Sequence, residues 1–221
     1  MPRVAFQSHQ VTGPNWALLP SAAGVIDPLL STGFPLTLLG VARIGSILKR
    51  HWQRSSFRAA LADYGRRTTL ELETTACLVG ALYRTMQRFE RFTALTLLYF
   101  AAASYSETAR RLGKEHLADG FLLCNHPVFS RKLHQICRLA LEGGGTVSEN
   151  DFNKLVNETI GPFDLAGLSD VTRHPWYPAR PQDLLVAAAK VSAGQDEIVA
   201  MLQKCGLTTE PDLSVPSLSF P

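Results

Sequence analysis

"FRAALADYGRRTTLELETTACLVGALYRTMQRFERFTALTLLYFAAASYSETARRLG", residues 57–113, decides the fold class. It holds no proline, and only Gly65 and Gly80 interrupt it before Gly113. Leu72, Ala76, Val79, Tyr83, Met86 and Phe89 recur three or four residues apart, the spacing of one face of an α-helix. The stretch therefore predicts one long or two consecutive amphipathic helices. They stop at Gly113, behind Arg110 and Arg111, because glycine accepts the left-handed end position and cations suit the helix dipole. The uncharged run "TALTLLYFAAASYS", residues 93–106, is shorter than a membrane span and reads as a buried core helix.

Working toward the C-terminus, "EHLADGFLLCNHP" and "FSRKLHQICRLALEGGG" predict two more helices, the second closed by the run Gly143, Gly144, Gly145. Ser148 with Asp151 three residues later is a capping box ahead of Phe152, Leu155 and Val156. "IGPFDLAGLSDVTRHPWYPARP" is a connection punctuated by proline and glycine. Residues 182–191 and 195–204 then form two short helices, with Gly194 between them and Gly206 as a stop. The tail from 207 to 221 has three prolines and no periodicity, and is expected to be extended or disordered.

Toward the N-terminus, Asp27 is the only acidic residue between Gly13 and Ala42. Pro14, Pro20, Pro28 and Pro35 divide this run into pieces shorter than the about 20 apolar residues of a span. No secretory leader is apparent, so a cytoplasmic chain without a membrane partner is expected. "NWALLPSAAGVID" reads as a buried strand running into a loop. Leu36, Leu39, Ile44, Ile47 and Leu48 then follow a helical period. Ser31 and Thr32 stand at the join and suit an N-cap.

Composition adds bounds rather than a function. With 221 residues, 46% of them hydrophobic, the chain can bury a real core. A net charge of +3 names no partner. The basic clusters at 49–58 and at Arg66 and Arg67 read as solvated helix surface, so no nucleic acid is expected. Cys77, Cys124, Cys137 and Cys205 lack a framework spacing and read as reduced thiols. Cys124, His126, His134 and Cys137 carry zinc-type donors, but Cys124 and His126 point apart on a helix, and buried thiols beside hydrogen-bonded histidines explain them better. Trp176 and Tyr177 suit either ring stacking or the anchoring of a loop.

The segment "NWALLPSAAGVIDPLLSTGFPLTLLGVARIGSIL" resembles the part of flavin-dependent halogenases, within the FAD-dependent monooxygenases, where a strand, a D/E-P-x-x-S-T-G loop and a helix N-terminus face the isoalloxazine ring. The likeness continues through "LVGALY", "LYFAAASYSETARRLG", "FLLCNHPVF", "IGPFDLAGLSD" and "HPWYP". It implies FAD contacts from Asp27, Pro28, Ser31, Thr32 and Gly33, and chloride or bromide at Thr32 and Gly33. A glycine there lets a flat ring approach, and a helix start favours an anion. Leu30 stands where tryptophan halogenases carry a glutamate, which turns the expectation toward phenolic, pyrrole-like or carrier-bound substrates. The sequence contains no G-x-G-x-x-G, and Lys49, Lys114, Lys132, Lys154, Lys190 and Lys204 match no catalytic lysine position.

The expected protein is mainly α. Residues 1–50 would be a strand, loop and helix remnant of an FAD domain, 51–206 the helical substrate-side domain of a halogenase, and 207–221 a tail. The resemblance implies the C-terminal part of the enzyme, inactive alone, with no catalytic residue of its own. Its implied partners are an N-terminal FAD-binding half or a flavin reductase. Apolar residues on the helices from Leu72 to Phe100 would wall the substrate tunnel. The rival from another class is a non-catalytic helical interaction module packed against a partner chain.

Overall fold

The computed structural model describes residues 5–142, 147–170 and 180–207. These residues are mainly helical. A two-residue strand β1 (Phe6–Gln7) pairs antiparallel with β2 (Gly24–Val25), on either side of a single helical turn, α1 (Pro20–Ala23). The longer helices follow as α2 (Gly33–His51), α3 (Phe57–Thr85), α4 (Phe89–Arg111), α5 (Phe129–Leu141) and α6 (Glu149–Ile160). Two short helices, α7 (Pro181–Val186) and α8 (Gln195–Lys204), pack on each other.

The stretch at 57–113 forms two consecutive helices joined by three residues. This α3–α4 hairpin is the centre of the molecule. α2 and α5 lie on α3, α6 lies on α4, and α5 also meets α6. Leu78, Leu82, Leu95 and Leu98 from the hairpin, Leu133 and Ile136 from α5, and Phe152 and Val156 from α6 are 0–1% exposed. Burying such side chains is worth roughly 1.5–3 kcal/mol each. The uncharged run on α4 is indeed core on its inner face. Gly113 takes φ +70 behind the basic pair, as a helix-ending glycine does. Of the expected capping box one arm forms: Ser148 Oγ accepts the Asp151 N–H at 3.1 Å, while the Asp151 carboxylate accepts the Ser148 hydroxyl at 2.7 Å rather than its backbone N–H.

Three expectations fail locally. The strand read from "NWALLPSAAGVID" is a helical turn plus two strand residues, because Pro20 starts a helix readily at its first position. The helix read from "EHLADGFLLCNHP" is two 3₁₀ turns, Glu115–Leu117 and Phe121–Leu123, with Gly120 at φ +82 and Leu122 and Leu123 at φ +53 and +54. The helix read at 182–191 ends at Val186 and continues as a 3₁₀ turn, Ala188–Val191. The glycine run 143–145, the aromatic pair Trp176 and Tyr177, and the tail from 208 lie outside the described residues.

Pro35 falls in the first turn of α2 and leaves the helix whole, since a proline there lacks only an N–H that has no partner anyway. The prolines therefore do not cut this segment short. By length and composition Leu29–His51 is apolar enough to cross a membrane, with a mean hydropathy of 1.3 and 17% of that window buried. It packs instead along α3. Gly40 allows the approach, because a Cβ there would lie 2.3 Å from Pro20 Cδ and 3.2 Å from the Tyr64 hydroxyl.

Candidate functional site

The loop from Asp27 to Gly33 is held from two helices. Asp27 Oδ1 accepts the Leu29 N–H at 2.9 Å and the Tyr83 hydroxyl of α3 at 2.6 Å. The Tyr99 hydroxyl of α4 donates to the Leu30 carbonyl at 3.1 Å, and the Ser31 N–H donates to the Pro28 carbonyl at 2.9 Å. Asp27 and Pro28 thus build the turn, the structural alternative for an aspartate before proline. Leu30 and Ser31 both take left-handed backbone, φ +60 and +51. Non-glycine residues pay roughly 1–2 kcal/mol each for that conformation.

Thr32 does not cap α2 through its side chain, contrary to expectation. Its backbone is helical (φ −61, ψ −26), which turns the hydroxyl away from the N–H groups a capping oxygen would accept from. The residue is 1% exposed and Oγ1 has no hydrogen-bond partner. Gly33 is exposed, and a Cβ built on it would meet nothing within 4 Å. Ser31 is exposed beside them. The open approach is at Gly33, on the positive end of a 19-residue helix, and the Thr32 hydroxyl next to it in sequence is buried without a partner. That is a fair fit for an anion or the polar edge of a flat ring.

A small apolar cavity of about 160 Å³ opens on the outer face of α4, lined by Phe89, Phe92, Thr93, Thr96, Leu97, Phe100 and Leu168. Leu168 reaches it because Asp164, 2% exposed, gathers the loop that follows α6. Asp164 accepts the N–H groups of Ala166, Leu168 and Ser169 and the Ser169 hydroxyl, all within 3.1 Å. Part of the expected tunnel-wall stretch, the helices from Leu72 to Phe100, thus lines an apolar space. The cavity is smaller than the roughly 300 Å³ of drug-sized ligand sites and suits a single ring.

The four zinc-type residues are not gathered. Among the described residues, no three His, Cys, Asp or Glu side chains stand close enough to hold an ion. His126 Nδ1 accepts the Phe129 N–H at 3.1 Å at the start of α5, and its ring meets Phe163 edge-on. Cys124 is 3% exposed, and burial pushes its thiol up to about 12. His134 and Cys137 turn to Cys77 on α3. The Cys137 thiol hydrogen-bonds Cys77 and His134 adds a second bond, and together they bring Cys77 down to about 6 against the opposing effect of burial. Cys77 is half-buried and Cys137 wholly buried. A thiol that is ionised at neutral pH and partly accessible is a nucleophile.

The supports that matter most were invisible as motifs. Tyr83 and Tyr99 read only as helix-face residues, and Cys77 as a core thiol. Their partners lie 56 and 69 residues away for the tyrosines, so no local spacing announces them. No protein-family model matches the chain, and no curated protein matches it.

Proposed function

We propose that the chain is the helical, substrate-side part of a reduced-flavin- and oxygen-dependent halogenase acting on an electron-rich substrate. Phenolic, pyrrole-like or carrier-bound rings are the class that Leu30, in place of a carboxylate, favours. The observation that carries the reading is the buried, unpartnered Thr32 hydroxyl beside exposed Gly33 at the head of α2, on a loop pinned by Tyr83 and Tyr99.

In this reading Thr32 and Gly33 hold chloride or bromide and the polar edge of the flavin ring, with Ser31 alongside. Asp27 and Pro28 act on the cofactor only through the loop they shape. The flavin, when bound, supplies the reaction with oxygen that turns halide into an electrophilic halogen. The cavity on α4 excludes water from an aromatic ring and orients it by contact with Phe92 and Phe100. The pyrophosphate of FAD would be bound by residues outside this sequence, which has no G-x-G-x-x-G, and the chain alone would not turn over.

The test is a fluorescence titration of the purified chain with FAD and reduced FAD, with and without bromide, alongside Thr32→Val and Gly33→Val. A Cβ at Gly33 meets nothing within 4 Å and Val has nearly the shape of Thr at position 32, so both variants are expected to fold, which circular dichroism checks. Saturable binding that bromide strengthens and both variants weaken supports the proposal. No binding to roughly millimolar flavin, a free energy weaker than about 4 kcal/mol, sinks it.

A second reading has its own observation. Phe6, Trp16, Leu19, Val25 and Phe34 are 38–72% exposed within the N-terminal part of the chain, more large apolar side chains than a short segment ordinarily leaves in water. They suit a non-catalytic helical module packed against a partner chain, and this reading leads if flavin does not bind.

A further inference from the structure

Phe34, Leu38, Val41, Gly45 and Leu48 follow one another along α2 at alternating steps of four and three residues, which places them on one stripe, and Trp52 stands at its end as the C-cap. The opposite face carries the packing. Leu36 and Gly40 are buried there, and Arg43 reaches the buried Glu71 of α3. The five side chains of the stripe are exposed at 72, 54, 51, 45 and 58%, and a Cβ on Gly45 would meet nothing within 4 Å. The stripe runs about 27 Å, at 1.5 Å per residue.

Charge says what covers it. No acidic residue occurs from Pro28 to Ala62. Lys49 and Arg50 at the C-terminal end of α2, Arg54 in the turn after it and Arg58 at the start of α3 are all exposed, and none of them forms an ion pair among the described residues. A second copy of the chain fits badly. Parallel stripes would bring two cationic clusters together, and antiparallel stripes would set each cluster against the positive start of the other helix, with no acid on either flank to compensate. An anionic bilayer offers headgroups to the cations and an acyl boundary to the stripe, with aromatic rings at both ends of the helix where interfacial helices carry them.

We infer that α2 is a docking face for an anionic lipid bilayer. It lies along the surface with its outer stripe in the headgroup–acyl boundary and the cations at and just beyond its C-terminal end on the headgroups. Because Arg43 on the inner face is tied to Glu71, α2 stays on the body and does not cross. The sequence reading expected no membrane partner on the strength of the prolines, and the unbroken α2 removes that ground. The inference does not rest on the flavin reading, whose FAD-binding half is a rival occupant of this face.

Flotation of the full chain with phosphatidylcholine vesicles, with and without phosphatidylglycerol, tests it. Two variants accompany the chain, Leu38→Gln/Leu48→Gln and Lys49→Gln/Arg50→Gln/Arg54→Gln/Arg58→Gln. All six positions are exposed, and circular dichroism checks that both variants fold. The chain is expected to float with the anionic vesicles only and to leave them as salt rises. Each variant should lose at least about tenfold in vesicle affinity. Absence of flotation overturns the inference, as does undiminished binding by either variant. So does a concentration-dependent dimer that Leu38→Gln/Leu48→Gln abolishes, which would give the stripe to a second copy.

Discussion

Arg43 and Glu71 meet face to face between α2 and α3, Nη1 to Oε2 and Nη2 to Oε1, each at 2.6 Å. The same carboxylate, 0% exposed, accepts the Phe121 N–H at 2.7 Å. One side chain of α3 thus joins α2 and the 3₁₀ turn at Phe121–Leu123. Burial lowers the Arg43 pKa, while the hydrogen bond and charge of Glu71 raise it by more, so the guanidinium ends above its ordinary value.

Arg43→Met is therefore expected to destabilise the fold by about 3–5 kcal/mol, since it leaves a buried carboxylate without its partner. Arg43→Met/Glu71→Met should recover much of that loss, short of about 1–3 kcal/mol for the orphaned Phe121 N–H. Urea unfolding of the two proteins measures both. Equal stability of the single and double variants would mean that the pair is not the source of the effect.

Tyr83→Phe removes a donor to Asp27 Oδ1 that helps to fix the loop before α2. A loss of about 1–2 kcal/mol follows from a hydrogen bond to a carboxylate. Amide exchange should rise at residues 27–33 before it rises in α3. Uniform acceleration through α3 would show that Tyr83 works by packing instead.

Thr32→Val replaces a buried hydroxyl that has no partner by a methyl of nearly the same shape. The apo protein should gain about 1 kcal/mol, seen as a higher thermal midpoint. If flavin or halide uses that hydroxyl, the same variant loses ligand affinity as it gains stability. A loss of stability without ligand would mean that Oγ1 is satisfied in solution.

Cys77 should alkylate before Cys124, with a rate that reaches half its maximum near pH 6 rather than near the ordinary thiol value of 9.0. The sign follows from stabilisation of the thiolate by Cys137 first and His134 second. Cys137→Ala should move the profile upward. Mass-spectrometric mapping of iodoacetamide labelling in a Cys205→Ser background checks it, and an unshifted profile would show that Cys137 is not the donor.

Legibility followed the range of the interaction. The α3–α4 hairpin, α5, α6 and α8 were readable because helical period, capping boxes and glycine stops act within a few residues. Pro20 and the strand it interrupts were misread, because β2 exists only through its pairing with Phe6 and Gln7. Residues 115–127 were misread for a different reason. Tertiary burial of Leu122 and Leu123, together with the Glu71 bond to Phe121 N, overrides their helix propensity. At the candidate site, Asp27, Thr32 and Gly33 were visible as a motif. The tyrosines that aim them, and the encounter of Cys77 with Cys137 and His134, required the fold.

The two left-handed pairs among the described residues are held very differently. Leu122 and Leu123 are 0% exposed, and burial of roughly 1.5–3 kcal/mol per leucine outweighs their backbone strain. Leu30 is half-buried at the edge of the core and Ser31 exposed, so less burial opposes their strain, and turn hydrogen bonds and the two tyrosine hydroxyls contribute the rest. The segment ahead of α2 therefore sits in a shallow well of the native ensemble. Partial opening there is expected at a lower free energy than opening of the α3–α4 hairpin, and a ligand at Gly33 would select among the states so reached.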